Sequence, residues 1–171
     1  MKENYKIGLK HITTFIFDVD GVFTDGKVFL FGEGKYVRSF NNKDSYAVHL
    51  AKQKGYHLAV ITGGNQASVE EGLKALGIDD VFMRQSDKLS CLEKYTSNRD
   101  IKREQILYMG DDLPDAEVMT HVGMPVCPND AATEIKELSR YVSPHSGGNG
   151  CVRDVIEQVL RVRGDWQMIP W

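Results

Sequence analysis

Short apolar runs alternate along the chain with segments whose apolar residues recur at helical spacing. The first run, residues 12–17, has the nearly continuous apolar character of a parallel strand that is covered on both faces. Predicted strands span residues 12–17, 56–61, 81–83, 105–109, 124–127 and 141–142. Predicted helices span residues 46–54, 66–76, 87–95, 131–139 and 152–162. The alternation predicts an α/β fold with a doubly wound, mainly parallel, Rossmann-like sheet.

A β-hairpin is predicted after the first strand, over residues 27–40. Two short β-rich runs flank Gly32-Glu33-Gly34, which indicates a turn. The hairpin is rich in aromatic side chains: Phe29, Phe31, Tyr36 and Phe40. An exposed apolar flap of this kind should cover a ligand or pack against another subunit. The alternative is that it packs on its own domain.

Length and composition exclude several classes of protein. A chain of 171 residues fits one α/β domain, residues 1–171, with residues 163–171 as a C-terminal tail. The formal net charge of −3 leaves no broad basic surface, so we expect no nucleic-acid partner. No apolar run approaches the length of a membrane span, and Cys91, Cys127 and Cys151 have neither metal-ligand nor disulfide spacing. We therefore expect a soluble cytoplasmic protein with no membrane partner.

The first predicted strand ends in two acids, Asp18 and Asp20, followed by Gly21. This places both acids at the carboxyl edge of the sheet, where open α/β sheets bind ligands. Two carboxylates this close repel each other unless a cation or a shared proton separates them, and a divalent metal is the simplest partner. The alternative is an ordinary strand-to-loop turn in which both acids cap backbone amides.

Two further segments carry groups that suit an anion. Thr62-Gly63-Gly64 follows the second buried strand and precedes a helix, so the Thr62 hydroxyl and nearby backbone N–H groups can form a small anion site. Lys88 lies in the first turn of the helix 87–95, where the helix dipole disfavours a cation, and this indicates a specific task. An ordinary β–α turn and a solvated surface lysine are the alternatives.

A second acidic cluster, Gly110-Asp111-Asp112-Leu113-Pro114-Asp115, follows the fourth predicted strand and repeats the charge repulsion of the first. Mg²⁺ is usually held by few protein carboxylates together with several waters. We therefore predict Mg²⁺ as the cofactor at this edge. Asp115 taken alone could instead complement the positive end of the following helix.

These motifs together resemble those of the haloacid dehalogenase superfamily, and more narrowly its small, cap-less 3-deoxy-D-manno-octulosonate 8-phosphate (KDO 8-phosphate) phosphatases. The segment Phe17-Asp18-Val19-Asp20-Gly21-Val22-Phe23-Thr24-Asp25-Gly26 is similar to the first motif of that family, and residues 110–115 are similar to the fourth. Gly147-Gly148-Asn149-Gly150-Cys151-Val152-Arg153 resembles the segment with which the family ends. The resemblance extends over residues 15–153.

The resemblance implies a chemical role for each matched residue. Asp18 would attack phosphorus, and Asp20 would act as the general acid and base. Thr62 and the Gly63 amide would hold the phosphoryl group. Lys88 would neutralise the nucleophile and the transferred oxygens.

The resemblance also implies a metal site and supporting positions. Mg²⁺ would be held by Asp18, the Asp20 backbone carbonyl and Asp111. Asp112 and Asp115 would orient water or Lys88 behind these ligands. Further substrate-binding positions are Asp44 and Arg153.

The implied function is Mg²⁺-dependent hydrolysis of KDO 8-phosphate through an aspartyl phosphate, in lipopolysaccharide sugar biosynthesis. The segment 63–87 and the hairpin leave no room for a cap domain. The resemblance therefore implies a homotetramer in which hairpins pack together and neighbouring subunits cover the sugar-acid phosphate. Many relatives carry a charged residue after Thr-Gly and an arginine on the next helix, where this chain has Gly64 and residues 70–72. A nine-carbon sugar-acid 9-phosphate of the KDN or sialic-acid type thus stays an alternative substrate.

A receiver-type phosphoacceptor domain is the alternative from another functional class. Receivers place the acidic pair before the phosphoacceptor strand and Thr before Lys at the end, whereas Gly110-Asp111-Asp112 comes last here. A catalytically inactive scaffold is disfavoured because every expected catalytic group is present.

Overall fold

The computed structural model describes residues 4–32 and 35–167, and the elements that follow belong to that part of the chain. The strands are β1 (Thr14–Phe17), β2 (Phe29–Phe31), β3 (Lys35–Val37), β4 (His57–Ile61), β5 (Asp80–Phe82), β6 (Ile106–Met109), β7 (Met124–Cys127) and β8 (Tyr141–Val142). The helices are α1 (Tyr5–Leu9), α2 (Asn42–Gln53), α3 (Ala67–Ala75), α4 (Lys88–Ser97), α5 (Ala116–Thr120), α6 (Thr133–Leu138) and α7 (Cys151–Arg163). Two 3₁₀ turns are Arg103–Gln105 and Leu113–Asp115.

Six strands form one parallel sheet in the order β5-β4-β1-β6-β7-β8. All four residues of the central strand β1 are buried, because helices cover both faces of the sheet. The chain builds outward from β1 through β4 to β5, and then crosses back to add β6 on the other side. The crevice between the ends of β1 and β6 is therefore the point where such sheets bind ligands. The predicted doubly wound fold is confirmed.

The two faces of the sheet carry separate apolar clusters. In β1, Phe15 and Phe17 belong to the cluster that includes buried residues of α2 and α7. Ile16 belongs to the opposite cluster, which includes residues of α4, α5 and α6. This alternation follows from the pleat of the strand. Within the described residues no further domain is inserted, so the fold has no cap.

Three helices depart from the predicted bounds: α2 begins earlier, while α1 and α5 had no bounds predicted for them. α2 begins at Asn42 rather than at residue 46, because the side chain of Asn41 accepts the Lys43 N–H at 2.9 Å and caps the helix there. The pattern does not predict α1, which is too short to show a periodicity. A long-range contact holds it, since the Tyr5 hydroxyl donates to Gln158 at 2.8 Å.

β2 and β3 form the predicted hairpin as a separate antiparallel ribbon. The turn residues Glu33 and Gly34 lie outside the described residues. The sequence analysis grouped Phe40 with the exposed aromatic residues of this hairpin, but the structure places it elsewhere. Its ring packs near Phe23 against the core of the sheet domain.

The hairpin has two different faces. Leu30 and Tyr36 are directly opposed across the two strands and line a cavity beside the sheet edge. Phe29 and Val37 are the next opposed pair, and Phe31 shares their face by alternation. Phe29 and Phe31 are 54% and 59% exposed. One face of the hairpin therefore lines a cavity, but both faces keep large exposed apolar areas, since Leu30 is 75% exposed and Tyr36 is 48% exposed.

The end of α7 folds back onto the body of the protein. Gly164 ends the helix with a positive φ, and Asp165 accepts the Tyr56 hydroxyl at 2.6 Å. The guanidinium groups of Arg153 and Arg161 lie over the Trp166 ring. Of the predicted tail, residues 168–171 lie outside the described part. No helix in the described part is both long and apolar enough to cross a membrane.

Candidate active site

The carboxyl ends of β1, β4 and β6 lie side by side at one edge of the sheet. Phe17 is in register with Val60 on one side and with Met109 on the other. The residues that follow these strands therefore converge. One cavity of about 590 Å³ is lined by predicted residues from all four strand-end motifs, namely Asp18, Asp20, Thr62, Gly63, Lys88, Asp111 and Asp112.

Lys88 is the buried cation of this cluster. Its Nζ lies 2.7 Å from Oδ2 of Asp18 and 2.7 Å from Oδ1 of Asp115. Only 6% of its side chain is exposed. Burial opposes the charge, but Asp18 and Asp115 outweigh it and raise the pKa of the ammonium above its ordinary value. Lys88 therefore stays charged beside the Asp18 carboxylate.

Asp115 fixes this arrangement from behind. It is fully buried, and its Oδ1 also accepts the Tyr108 hydroxyl at 2.7 Å. Its Oδ2 accepts the backbone N–H of Asp111 at 3.2 Å. Asp112 is more exposed and caps the following 3₁₀ turn by accepting the Leu113 N–H at 2.8 Å. Asp115 thus orients both Lys88 and the Asp111 backbone.

The donor set fits a hard divalent cation. One carboxylate oxygen each from Asp18, Asp111 and Asp115 lies within 4.8 Å of the others. Asp115 is already committed to Lys88, Tyr108 and the Asp111 amide, so we favour Asp18 and Asp111 as the side-chain ligands. Among the described residues, no hydrogen-bond donor is found on the Asp111 carboxylate. Carboxylate oxygens are the ligands that Mg²⁺ prefers.

Gly21 allows Asp111 to approach the loop after β1. It adopts φ +77°, and a Cβ atom built on it would lie 1.9 Å from Oδ2 of Asp111. Any side chain there would push the Asp111 carboxylate away from Asp18. The glycine of the first motif is therefore required both by its backbone conformation and by this contact.

Crowding of acids shifts two pKa values in this cluster. Burial, followed by repulsion from Asp115, raises the pKa of Asp18 to about 6 although Lys88 opposes the shift. Burial, followed by repulsion from Asp18 and Asp115, raises the pKa of Asp111 to about 7. The ionised cluster is therefore disfavoured by itself, and a divalent cation would offset the repulsion.

Backbone hydrogen bonds tie the loop after β4 to the segment after β5. The Gln85 N–H donates to the Thr62 carbonyl at 2.9 Å, and the Arg84 N–H donates to the Gly64 carbonyl at 2.8 Å. Arg84 adopts a left-handed φ of 59°, uncommon for a residue with a side chain. This pairing sets the buried Thr62 and the Gly63 backbone on the wall of the cavity.

Sequence reasoning missed two residues of the site. Arg38, just after β3, forms a two-point ion pair with the Asp20 carboxylate. Tyr108 holds Asp115 from inside the sheet. A signal existed for Tyr108, because it is the one hydroxyl in the otherwise apolar strand β6. No feature of the sequence around Arg38 indicates a role in the site, because its contact with Asp20 depends on where the hairpin folds.

The structure does not bring Asp44 and Arg153 to the cluster. The Asp44 carboxylate is buried and accepts the Arg153 backbone N–H at 2.8 Å, which joins the first turns of α2 and α7. The Arg153 side chain lies over the rings of Tyr46 and Trp166. Neither residue lines the cavities around Asp18 and Asp20. Their assignment to substrate binding stays a prediction.

The glycine-rich loop before α7 supports the first motif. The Gly148 N–H donates to the Val22 carbonyl at 2.9 Å. A Cβ atom on Gly147 would lie 2.0 Å from the Gly21 carbonyl oxygen. The two loops therefore pack backbone against backbone, and the loop before α7 helps to hold Gly21.

Comparisons with known proteins agree with this geometry. A family model of haloacid dehalogenase-like hydrolases matches residues 80–155. The KDO 8-phosphate phosphatase KdsC of Yersinia pestis is 34% identical over 150 residues, covering 88% of this chain and 80% of the relative. The enzyme of that name from Escherichia coli K12 is also 34% identical, over 91% of this chain and 82% of the relative.

The chain belongs to the KDO 8-phosphate phosphatase family of haloacid dehalogenase-like hydrolases.

Solved structures of this family share the fold. The Moraxella catarrhalis phosphatase, in complex with magnesium, phosphate and KDO, matches with a TM-score of 0.91 and 34% identity over 94% of this chain and 92% of that chain. The Yersinia pestis phosphatase matches with a TM-score of 0.92 and 32% identity over 94% and 87%. The Mg²⁺ in the first of these is consistent with the oxygen-rich donor set described above.

The contact at Gly147 predicts a strong effect of a small substitution. Gly147→Ala should destabilise the protein by about 1–3 kcal/mol, because the new methyl group must displace the Gly21 backbone. The displaced Gly21 should also lower activity. Gly32→Ala is the control, since a Cβ atom there meets nothing within 4 Å. Denaturant unfolding measures the stability of both variants. Equal stability of Gly147→Ala and Gly32→Ala would contradict the close packing of Gly147 on Gly21.

The raised pKa values predict that stability depends on pH and on Mg²⁺. Asp18 and Asp111 keep protons in the folded state at pH values where the unfolded chain, with an Asp pKa of about 3.9, has lost them. The metal-free protein should therefore lose stability between about pH 4 and pH 7, and Mg²⁺ should reduce the loss.

Thermal unfolding across this range, with chelator and with Mg²⁺, measures the effect. Burial also raises the pKa of Asp44 to about 6, so Asp44 contributes to the pH dependence as well. The part of the pH dependence that changes with Mg²⁺ belongs to the acidic cluster. Asp111→Asn should remove most of the response to Mg²⁺. An unchanged response in this variant would contradict the assignment of Asp111.

Proposed function

We propose that the protein is a Mg²⁺-dependent phosphatase that hydrolyses KDO 8-phosphate to KDO and phosphate in the cytoplasm, as a step of lipopolysaccharide sugar biosynthesis. The observation that carries the proposal is the contact of Asp18 with Lys88 at the carboxyl edge of β1, beside Asp111. Membership in the KDO 8-phosphate phosphatase family supports the choice of KDO 8-phosphate as the substrate.

The residues of the site suit an aspartyl-phosphate mechanism. Asp18 attacks phosphorus, and the bond from phosphorus to the leaving oxygen breaks as the aspartyl phosphate forms. Asp20 gives its proton to the leaving oxygen and then takes a proton from the water that hydrolyses the intermediate. Lys88 stabilises the charge of the phosphoryl oxygens, while Thr62 and the Gly63 amide hold them.

The metal ligands in this proposal are Asp18, Asp111 and the backbone carbonyl of Asp20. Bound Mg²⁺ supplies charge neutralisation that lets an anionic nucleophile approach an anionic ester. Asp115 keeps Lys88 and the Asp111 backbone in place throughout. Asp112 shapes the turn that carries Asp115.

The mechanism predicts the outcome of two isosteric substitutions. Asp18→Asn and Asp20→Asn should each lower steady-state phosphate release by about 10³-fold or more while the protein stays folded, because each removes a chemical role. Asp79→Asn is the control, an exposed acid paired with Lys52. Near-normal turnover of Asp18→Asn would refute the mechanism. Release of one phosphate per chain without turnover would favour a receiver-type phosphoacceptor.

We also propose that the protein is a homotetramer built through the hairpin. An isolated two-stranded ribbon is marginal in water, and its outward face exposes Phe29, Phe31 and Val37. An apolar face of this kind marks an interaction site. The opposite face, with Leu30 and Tyr36, would then be left to contact the substrate.

The two faces predict separable effects. The double variant Phe29→Ser, Phe31→Ser should give smaller species in light scattering, and should lower turnover of KDO 8-phosphate more than turnover of a small phosphate ester. Leu30→Ser should keep the assembly and lower only the turnover of KDO 8-phosphate. If the double variant keeps the mass of the unchanged protein, the outward face does not form the assembly.

A further inference from the structure

Arg38 holds the carboxylate of Asp20 with two N–H groups on one edge of its guanidinium. Nε lies 2.5 Å from Oδ1 of Asp20 and Nη2 lies 3.1 Å from Oδ2. The remaining arm, Nη1, contacts Oε1 of Gln66 at the start of α3. The Arg38 side chain is 14% exposed, whereas that of Asp20 is 40% exposed. Arg38 is therefore a mostly enclosed cation, oriented by Gln66 and paired with a more accessible acid.

Asp20 stands between two cavities. The first is the cavity that contains Asp18 and Lys88. The second, of about 390 Å³, lies on the hairpin side and shares Asp20, Thr62 and Gly64 with the first. Its walls are mainly apolar and include Val28, Leu30, Tyr36, Val69 and Met83. A phosphate ester bound at Asp18 can extend its leaving group past Asp20 into this second cavity.

Asp20 and a ligand in the second cavity would compete for the same donors. Both oxygens of Asp20 accept N–H groups from Arg38, so Asp20 fills the two-point edge of the guanidinium. A ligand group that binds this edge must replace Asp20 there, and it must therefore offer two acceptor oxygens and a negative charge.

We propose that Arg38 is the receptor for the carboxylate of the substrate, and that this carboxylate replaces Asp20 on the guanidinium. The inference rests on the proposed function and names the group that selects its substrates. The preferred class is phosphate monoesters whose leaving group carries a carboxylate.

The chemistry of the second cavity favours a carboxylate over a neutral group. A planar guanidinium fork matches a carboxylate at two points, so a substrate carboxylate can replace both bonds of Asp20. A hydroxyl would leave the cation without a counter-charge behind mainly apolar walls. Arg38 is the only cationic residue among the described residues that line this cavity. Gly64 and residues 70–72 contribute no other cation.

Variants of Arg38 test the selectivity. The readout is kcat/KM for KDO 8-phosphate divided by kcat/KM for phenyl phosphate, which has no carboxylate. Arg38→Gln should lower this ratio by about 10- to 100-fold, the range for loss of a hydrogen-bonded charge. Arg38→Lys should lower it less, because an ammonium keeps the charge without the fork. Arg99→Gln is the control, since Arg99 pairs with Asp80 at 3.1 Å away from both cavities.

A binding measurement separates recognition from turnover. Calorimetry with KDO and with its methyl ester, which lacks the charge, should show that the unchanged protein binds the acid at least tenfold more tightly. Arg38→Gln should abolish that difference, and Arg99→Gln should keep it. Equal binding of acid and ester to the unchanged protein would overturn the inference.

The two proposals can fail separately. If Arg38→Gln lowers turnover of both substrates by the same factor, Arg38 only positions Asp20 and the inference is wrong. If the unchanged protein turns over neither phosphate ester, the proposed function is wrong, and the comparison of acid with ester still decides whether Arg38 binds a carboxylate.

Discussion

The active site depends on one buried ammonium, that of Lys88, held between two carboxylates. A buried cation is costly without carboxylate partners, and Lys88 contacts both Asp18 and Asp115 at 2.7 Å, so the three groups hold one another in place. Asp115 in turn accepts Tyr108 and the Asp111 amide. A few hydrogen bonds thus fix the proposed nucleophile, its neutralising cation and one proposed metal ligand. The surplus of negative charge in this cluster is the physical reason for proposing a divalent cation.

A small fold without a cap must obtain its substrate pocket from other elements. The hairpin lines a cavity beside Asp20 through Leu30 and Tyr36, and both of its faces expose apolar side chains. Arg38, at its base, reaches Asp20 and Gln66. The same short element therefore links the proposed assembly, the pocket wall and the group that would protonate the leaving oxygen. In these proposals, substrate recognition and chemistry meet at the contact of Arg38 with Asp20.

The groups at the strand ends could be predicted because each lies next to its strand in the sequence and because the sheet is parallel. Each motif follows an apolar run of its own, and parallel strands end at the same edge, so Asp18, Thr62 and Asp111 had to converge once the fold was right. The start of α2 was predicted too late, since Asn41 caps it before the apolar spacing begins. Phe40 was grouped with the exposed hairpin, although it packs on the core.

By itself, the sequence determined the α/β fold, the order along the chain of the strands whose ends form the candidate site, and the acids, lysine and threonine at those ends. Only the tertiary structure decided which distant groups meet. Arg38 reaches Asp20 because the hairpin folds back over the sheet edge, and Asp44 meets the Arg153 backbone because α2 packs against α7. Periodicity and strand ends depend on residues that are neighbours in the sequence, so they can be predicted from it. The contacts of Arg38 and Asp44 join distant segments, and their approach depends on how the whole core packs.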